Sequence, residues 1–346
     1  MSTQTIAFGY ADNLPVDNPD ALIERSVSVP DLGERDLLVR VEAVSVNPVD
    51  VKLRASAPAD GFRVLGFDAS GVVERVGGQV TLFGAGDEVF YAGDMSRPGT
   101  NQLLHLVDER IVGRKPVSLS HSDAASLPLA ALTAWESAFD RLQIAPESEG
   151  VLLVVGASGG VGSILVQLVR ARAPRVRIIA TASSAEAIDW VTELGAYQTV
   201  DHRANLADQM QRLAPAGVDW LFSSHSEGQI ETYAQVVAPY GHIVAIDDGP
   251  RDVEPLKPKC ISWHWEFMFT AALHTPESRH QHEILDEVAA LTDEGRVRST
   301  TRTVLHPISA ETLRQGHRLV ESGRTIGKVV ISNEPIAPDA KPAQAR

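Results

Sequence analysis

Val151-Leu-Leu-Val-Val-Gly156-Ala157-Ser158-Gly159-Gly160-Val161-Gly162-Ser163 decides the fold. A short apolar run, Gly150–Val155, enters a glycine-rich turn, and a helical pattern, Val161–Ala173, leaves it and stops at Pro174. An all-apolar strand is one buried on both faces. The glycines have separate expected tasks: Gly159 for the tight turn, Gly160 for close approach of a pyrophosphate, and Gly162 for packing helix on strand. Free amides and the positive dipole end of the helix then favour phosphate. Ala157, Ser158, Gly159, Gly160, Val161 and Gly162 are therefore the expected cofactor-binding turn, and the cofactor is a dinucleotide.

Downstream, the alternation continues. Val176–Ala180 reads as a strand, Ala185–Leu194 as a helix closed by Gly195, and Gln198–Asp201, Asp219–Ser223 and His242–Asp247 as further strands. Strand–helix alternation of this kind builds a doubly wound parallel sheet. Around the second strand, Arg177 to Ser184, no carboxylate occurs until Glu186. NAD-selective folds place an acid there for the adenosine ribose hydroxyls. Its lack predicts NADPH, with Ser183 and Ser184 donating to the 2′-phosphate. His202 and Arg203 are the candidate cations for that phosphate, and Arg203 reads more simply as a solvated surface residue.

Upstream the texture differs. Leu37–Val46 and Gly71–Val76 read as strands, and Gly86-Asp87-Glu88-Val89-Phe90 as a turn entering a strand. Short glycine-punctuated strands suggest a small antiparallel, partly barrel-like domain. Leu127–Leu142 carries apolar residues at helical spacing with Pro128 at its start. After Thr275 a charged amphipathic helix, Glu283–Asp293, precedes Arg302–Leu305, a helix at Ser309–Ser322 and a last strand, Lys328–Ile331. These elements can complete the first domain, with the parallel-sheet domain inserted in it. The expected boundaries are 1–121 and 275–332 for the first domain and 122–274 for the second. Residues 333–346, rich in Pro and Ala, are expected to form a disordered tail.

Composition narrows the function. The 346 residues carry a formal net charge of −14, which argues against a general nucleic-acid or anionic-membrane binder. Cys260 is the one cysteine, so no intramolecular disulfide and no zinc site of two or more thiolates can form. No apolar run approaches the ~18–20 residues that span a bilayer. Met1 to Tyr10 has neither a basic nor an apolar leader region, so the expected location is the cytoplasm. No G-x-S-x-G elbow, Walker loop or thiol–base pair occurs, which removes hydrolase and kinase readings.

Asn47-Pro48-Val49-Asp50, then Leu65-Gly66-Phe67-Asp68-Ala69-Ser70-Gly71-Val72-Val73, Gly86-Asp87-Glu88-Val89, Leu132-Thr133-Ala134-Trp135 and the Gly156–Gly162 turn follow one another in an order that resembles the medium-chain dehydrogenase/reductase superfamily, in its quinone oxidoreductase branch. The resemblance covers about residues 5–332. Ile261-Ser-Trp-His-Trp-Glu-Phe-Met-Phe269 is similar to a bacterial subgroup labelled zinc-type alcohol dehydrogenase-like. The resemblance implies a GroES-like β-rich catalytic domain with an inserted Rossmann domain. In the zinc branch the first cysteine ligand would fall at Asn47 and the histidine at Phe67. Neither is a plausible zinc ligand, so no metal is expected.

The resemblance also implies site roles. Asn47, in place of a metal ligand, orients the nicotinamide ribose or the acceptor oxygen. Thr133, in the Leu-Thr-Ala-Trp turn, lies near the nicotinamide, and Lys328 belongs with the cofactor-binding residues. Asp50 holds the loop or relays a proton, or else serves as a helix cap or turn side chain. Phe67 and Trp265 line the acceptor pocket. Without a Lewis acid, the favoured acceptors are those whose reduced anion is already delocalised, and the expected activity is NADPH-dependent reduction of quinones or α,β-unsaturated carbonyls. The alternatives are an alcohol or aldehyde dehydrogenase of the same fold and a non-catalytic NADPH-binding protein. A homodimer is expected, through the apolar run Gly241–Ile246 if that strand is a sheet edge.

Overall fold

The computed structural model describes residues 3–335. It divides into two compact units. One holds the chain up to Leu129, then Phe269–Gly295 and the chain from Ser299 onward. The other holds Ala130–Met268 and Arg296–Arg298. Among the described residues no helix is long and apolar enough to cross a membrane.

The second unit is built on six parallel strands. In spatial order they are Gln198–Val200, Val176–Thr181, Gly150–Val155, Val218–Ser223, Val237–Ala245 and Ser262–Trp265. Numbered along the chain this is 3-2-1-4-5-6, the doubly wound order whose switch point lies between the first and fourth strands. Leu152, Leu153 and Val154 of the first strand are completely buried, as a strand covered on both faces must be. The helix Gly160–Arg172 buries eight consecutive residues, Gly162 to Val169. His242–Ala245 is not an edge: it pairs with Trp220–Ser223 on one side and Ser262–Trp265 on the other. The expected edge is corrected to Ser262–Trp265. That strand was hidden in its sequence because Ser-Trp-His-Trp lacks the β-branched residues that announce a buried strand.

The first unit holds a seven-stranded sheet. Its path runs Thr301–Leu305, Lys328–Ser332, Asp36–Val46, Ala69–Val76, Glu88–Tyr91 and Val112–Arg114, and Leu104–Asp108 also pairs with Asp36–Val46. A smaller sheet orders Ile23–Ser28, Gln4–Tyr10 and Arg63–Val64. The core between them includes Tyr10, Leu37, Val39, Leu65, Val89 and Tyr91, none exposed.

Register in this unit makes the site. Val329 pairs antiparallel with Val46 and Val330 with Ser45, so Lys328 arrives beside Asn47. Val44 pairs with Ala69, so one residue further Asp68 falls beside Ser45. The expected tail begins too early: the Asn333 amide donates to the Glu42 carbonyl at 2.8 Å, and the Glu334 carboxylate accepts from the amides of His121 and Ser122 at 2.9 and 2.7 Å. The rest of that segment, 336–346, lies outside the described residues.

Candidate active site

The glycine turn of the second unit is shaped by three contacts. Gly156 has φ +81°, and a Cβ there would sit 2.0 Å from Ser224 Oγ. Its amide donates to Thr181 Oγ1 at 2.9 Å, tying the turn to the neighbouring strand. A Cβ on Gly162 would lie 2.4 Å from the Gly156 carbonyl oxygen, so the helix packs on the turn only without a side chain. Gly159, expected to make the tight turn, has φ −74° and ψ 174° and serves as the helix N-cap. The left-handed turn belongs to Gly156, one step earlier in the motif. Ala157 is buried, while Ser158, Gly159, Gly160 and Val161 are half-buried. The first amides of a helix have no intrahelical acceptor, so this mouth is a phosphate cradle of backbone donors. Its residues fit a dinucleotide, because side chains are excluded where a pyrophosphate would need backbone.

At the adenosine end, Ser184 caps the helix Ala185–Glu193, its Oγ accepting from the Ala187 amide at 3.2 Å. Ser183 is half-buried, and its carbonyl accepts from the Arg203 guanidinium. That guanidinium also pairs with Asp201 at 2.9 Å and holds its carboxyl down to about 2, chiefly by hydrogen bonding. Arg203 is exposed, as a solvated surface residue is, and is held beside the serines by these contacts; His202 is exposed too.

In the first unit, Asn47 stands at the head of the helix Pro48–Ser56, which the sequence reading missed. Its carboxamide is spoken for at both ends. Nδ2 donates to Asp68 Oδ2 at 2.7 Å, and Oδ1 accepts from the Lys328 ammonium. Lys328 Nζ lies 3.0 Å from Asp68 Oδ2, and both side chains are buried. Asp68 also accepts from Ser45 Oγ at 2.6 Å and from the Leu129 amide at 2.8 Å. Asp68 stood inside a quoted motif without a role. The available signal was a lone acid between apolar strand-forming flanks.

Asp50 resolves towards holding the loop. One carboxyl oxygen accepts from the Asn47 amide at 2.8 Å and the other from the Gly66 amide at 2.9 Å, so both oxygens are occupied by backbone. Burial pushes its carboxyl up to about 7, against the pull of those amides and of Lys328. Phe67 is buried edge-on against Phe269 at 5.1 Å between ring centroids. Thr133 is buried within the helix Pro128–Trp135 rather than in a turn. Trp265 is half exposed on the sheet edge, edge-on to Trp263 at 5.3 Å.

This donor set does not fit zinc. An ammonium occupies the polar side of Asn47, its carbonyl oxygen is committed to that ammonium, and Phe67 supplies no lone pair. Among the described residues no group of three or more His, Cys, Asp or Glu side chains is placed to hold a metal ion.

Comparison with known proteins agrees with the architecture. Residues 33–113 match the alcohol dehydrogenase GroES-like domain and residues 194–331 the zinc-binding dehydrogenase family. A zinc-type alcohol dehydrogenase-like protein of Staphylococcus epidermidis is 36% identical over 335 residues, which cover 94% of this chain and 99% of that protein. The 2-methylene-furan-3-one reductase of Solanum lycopersicum is 30% identical over 343 residues, covering 94% of this chain and 78% of that protein. A crystal structure from Rhizobium etli CFN 42, described as a candidate zinc-dependent alcohol dehydrogenase, is 44% identical with a TM-score of 0.93, covering 97% of this chain and all of that one (100%).

Proposed function

The chain belongs to the medium-chain dehydrogenase/reductase superfamily of oxidoreductases, and from that premise we propose that it is an NADPH-dependent reductase of quinones or α,β-unsaturated carbonyls that works without a metal. The observation that carries this reading is the buried Lys328–Asp68 ion pair closed over Asn47. By resemblance the zinc branch keeps ligands at the positions of Asn47 and Phe67; here one is a carboxamide engaged by the Lys328 ammonium and the other a phenyl ring. A carbonyl that needs a Lewis acid finds none in this donor set. An acceptor whose reduced anion is delocalised needs chiefly to be held in place. The tomato relative supports the same class, since its name specifies an enone.

When bound, the nicotinamide supplies the hydride. The turn from Ala157 to Gly162 binds the phosphates through backbone amides. Ser183 and Ser184 take the 2′-phosphate with the pinned Arg203 as counter-charge, and His202 stands at the rim. Asn47 and Thr133 orient the ring and acceptor, and Lys328 acts through Asn47 by fixing its carboxamide. Phe67 keeps the acceptor surroundings apolar, and Asp50 fixes the loop that carries Asn47.

Steady-state turnover of a quinone and enone panel tests the reading. NADPH should exceed NADH in kcat/KM by about tenfold or more, the worth of one or two charge-assisted hydrogen bonds, and Asn47→Ala should lower the value several-fold. A preference for NADH, or turnover that appears only with one equivalent of zinc, overturns it. We further propose a homodimer, now placed at the edge strand Ser262–Trp265, where unpaired backbone and half-exposed Trp265 need covering. Light scattering at micromolar concentration should give twice the chain mass; the mass of a single chain refutes the dimer.

A further inference from the structure

Within the second unit lies a polar cluster that the proposed chemistry does not use. Glu136 and Glu266 are both buried and neighbour one another, each acting on the other's carboxyl group. Arg141 Nε donates to Glu266 Oε2 at 3.0 Å, and Asp140 adds a further negative charge nearby. Glu136 opens a π-helical stretch, Glu136–Arg141, that continues the helix Pro128–Trp135. Glu266 directly follows the edge strand, and its amide donates to the Ala245 carbonyl at 3.0 Å.

Two features set this pair apart from ordinary packing. Burying two carboxyl groups is costly, and an apolar contact would join helix to strand more cheaply. Yet Oε1 of each residue is buried and meets no donor from elsewhere among the described residues. The widened helical turn begins at the same residue, and such turns recur at functional sites.

Sheet register locates the pair. Val155, Ser223, Ala245 and Trp265 form one row across the carboxyl ends of four strands. Glu266 therefore lies just beyond that row, three strand spacings of about 4.8 Å from the glycine turn. Ligands of such sheets bind outside the carboxyl ends, with one mononucleotide on each side of the switch point. The strand Val176–Thr181, with Ser183 and Ser184 beyond its end, takes the adenosine side. Glu266 belongs to the other half, the side of the nicotinamide.

We propose that the Glu136–Glu266 pair is a positioning device for the nicotinamide half of the cofactor, tying the π-helical exit of the helix Pro128–Trp135 to the end of the strand Ser262–Trp265. The inference rests on the cofactor reading above. Neither carboxyl group is assigned to contact the reacting atoms. A hydrogen bond from the Glu136 acid to the Glu266 carboxylate sets the spacing of the two elements, and Arg141 holds the Glu266 carboxylate in place.

Titration calorimetry on the full chain, with two probes, tests this. NADPH spans both halves of the site, whereas adenosine 2′,5′-bisphosphate reaches only the adenosine half. Glu136→Ala removes the bond and should weaken NADPH binding about fivefold, the effect of one lost buried hydrogen bond, while binding of the bisphosphate is unchanged. Glu136→Gln keeps a donor towards Glu266 and should recover most of the NADPH affinity. Equal NADPH affinity in wild type and Glu136→Ala overturns the proposal. So does weakening of both probes to the same degree in both variants, which marks a general loss of the fold. If wild type binds the bisphosphate and NADPH alike and only the variants are silent, the cofactor reading survives and the positioning role falls. If wild type binds neither probe, the cofactor reading itself fails, and this inference fails with it.

Discussion

Each compact unit buries acidic side chains beside one cation, and the two clusters are balanced in opposite ways. In the first unit Asp68 accepts from Ser45, Asn47, Lys328 and the Leu129 amide, so four donors meet one carboxylate, and the neighbouring Asp50 takes two backbone amides. In the second unit two carboxyl groups, Glu136 and Glu266, share one guanidinium, and Arg141 is 40% exposed. There burial drives the Glu136 carboxyl far above the ordinary carboxylate range, aided by its neighbour's charge. The two clusters thus differ in the supply of donors to their buried acids. The same residue class gathers donors in one unit and in the other is pushed towards its neutral form by burial.

The largest effect that can break this contrast is expected at Lys328. Lys328→Met leaves Asp68 buried without its cation and the Asn47 carbonyl without its donor. Removing one partner of a buried pair costs roughly 3–5 kcal/mol. Urea unfolding should therefore show a large fall in midpoint, partly recovered when Asp68→Asn is added. A midpoint equal to wild type would mean that the ammonium is not needed to hold this cluster, and the contrast between the units would collapse.

How much of this was legible depends on the range of the interactions. The glycine turn could be read because its strand, turn and helix are contiguous, and because close packing forbids side chains within a few residues. Even there the left-handed residue was misplaced, since Gly156 and Gly159 are chemically identical and only Ser224, from another strand, distinguishes them. The Asn47 cluster could be read only in part. Asn47 and Lys328 are 281 residues apart and meet because the last strand pairs antiparallel with Asp36–Val46. Nothing local to Asp68 announces that register. Glu136 was equally hidden, because a glutamate on an amphipathic helix ordinarily faces water. Its burial follows from Glu266, which arrives from beyond the sixth strand.

A smaller effect sharpens the contrast through pH. Glu136 holds its proton more tightly in the folded chain than in the unfolded one, so stability from this group is lost as pH rises above the ordinary glutamate value. Asp50, raised to about 7, acts in the same direction, is half titrated at neutrality and ceases to contribute about one unit higher. The buried histidines His105 and His317, held down by desolvation, oppose this trend only on the acid side, where their unfolded forms take up protons. Acids held low, such as Asp247 and Glu334, have lost their protons in both states well below neutrality. Glu136 is therefore the group expected to set the slope between about pH 8 and 9, at most about 1.4 kcal/mol per pH unit for one proton. Urea midpoints across that window should fall in wild type and stay level in Glu136→Gln, which has no proton to lose. Parallel slopes in the two chains would show that Glu136 is already an anion when folded, and the contrast in donor supply would carry no difference in protonation.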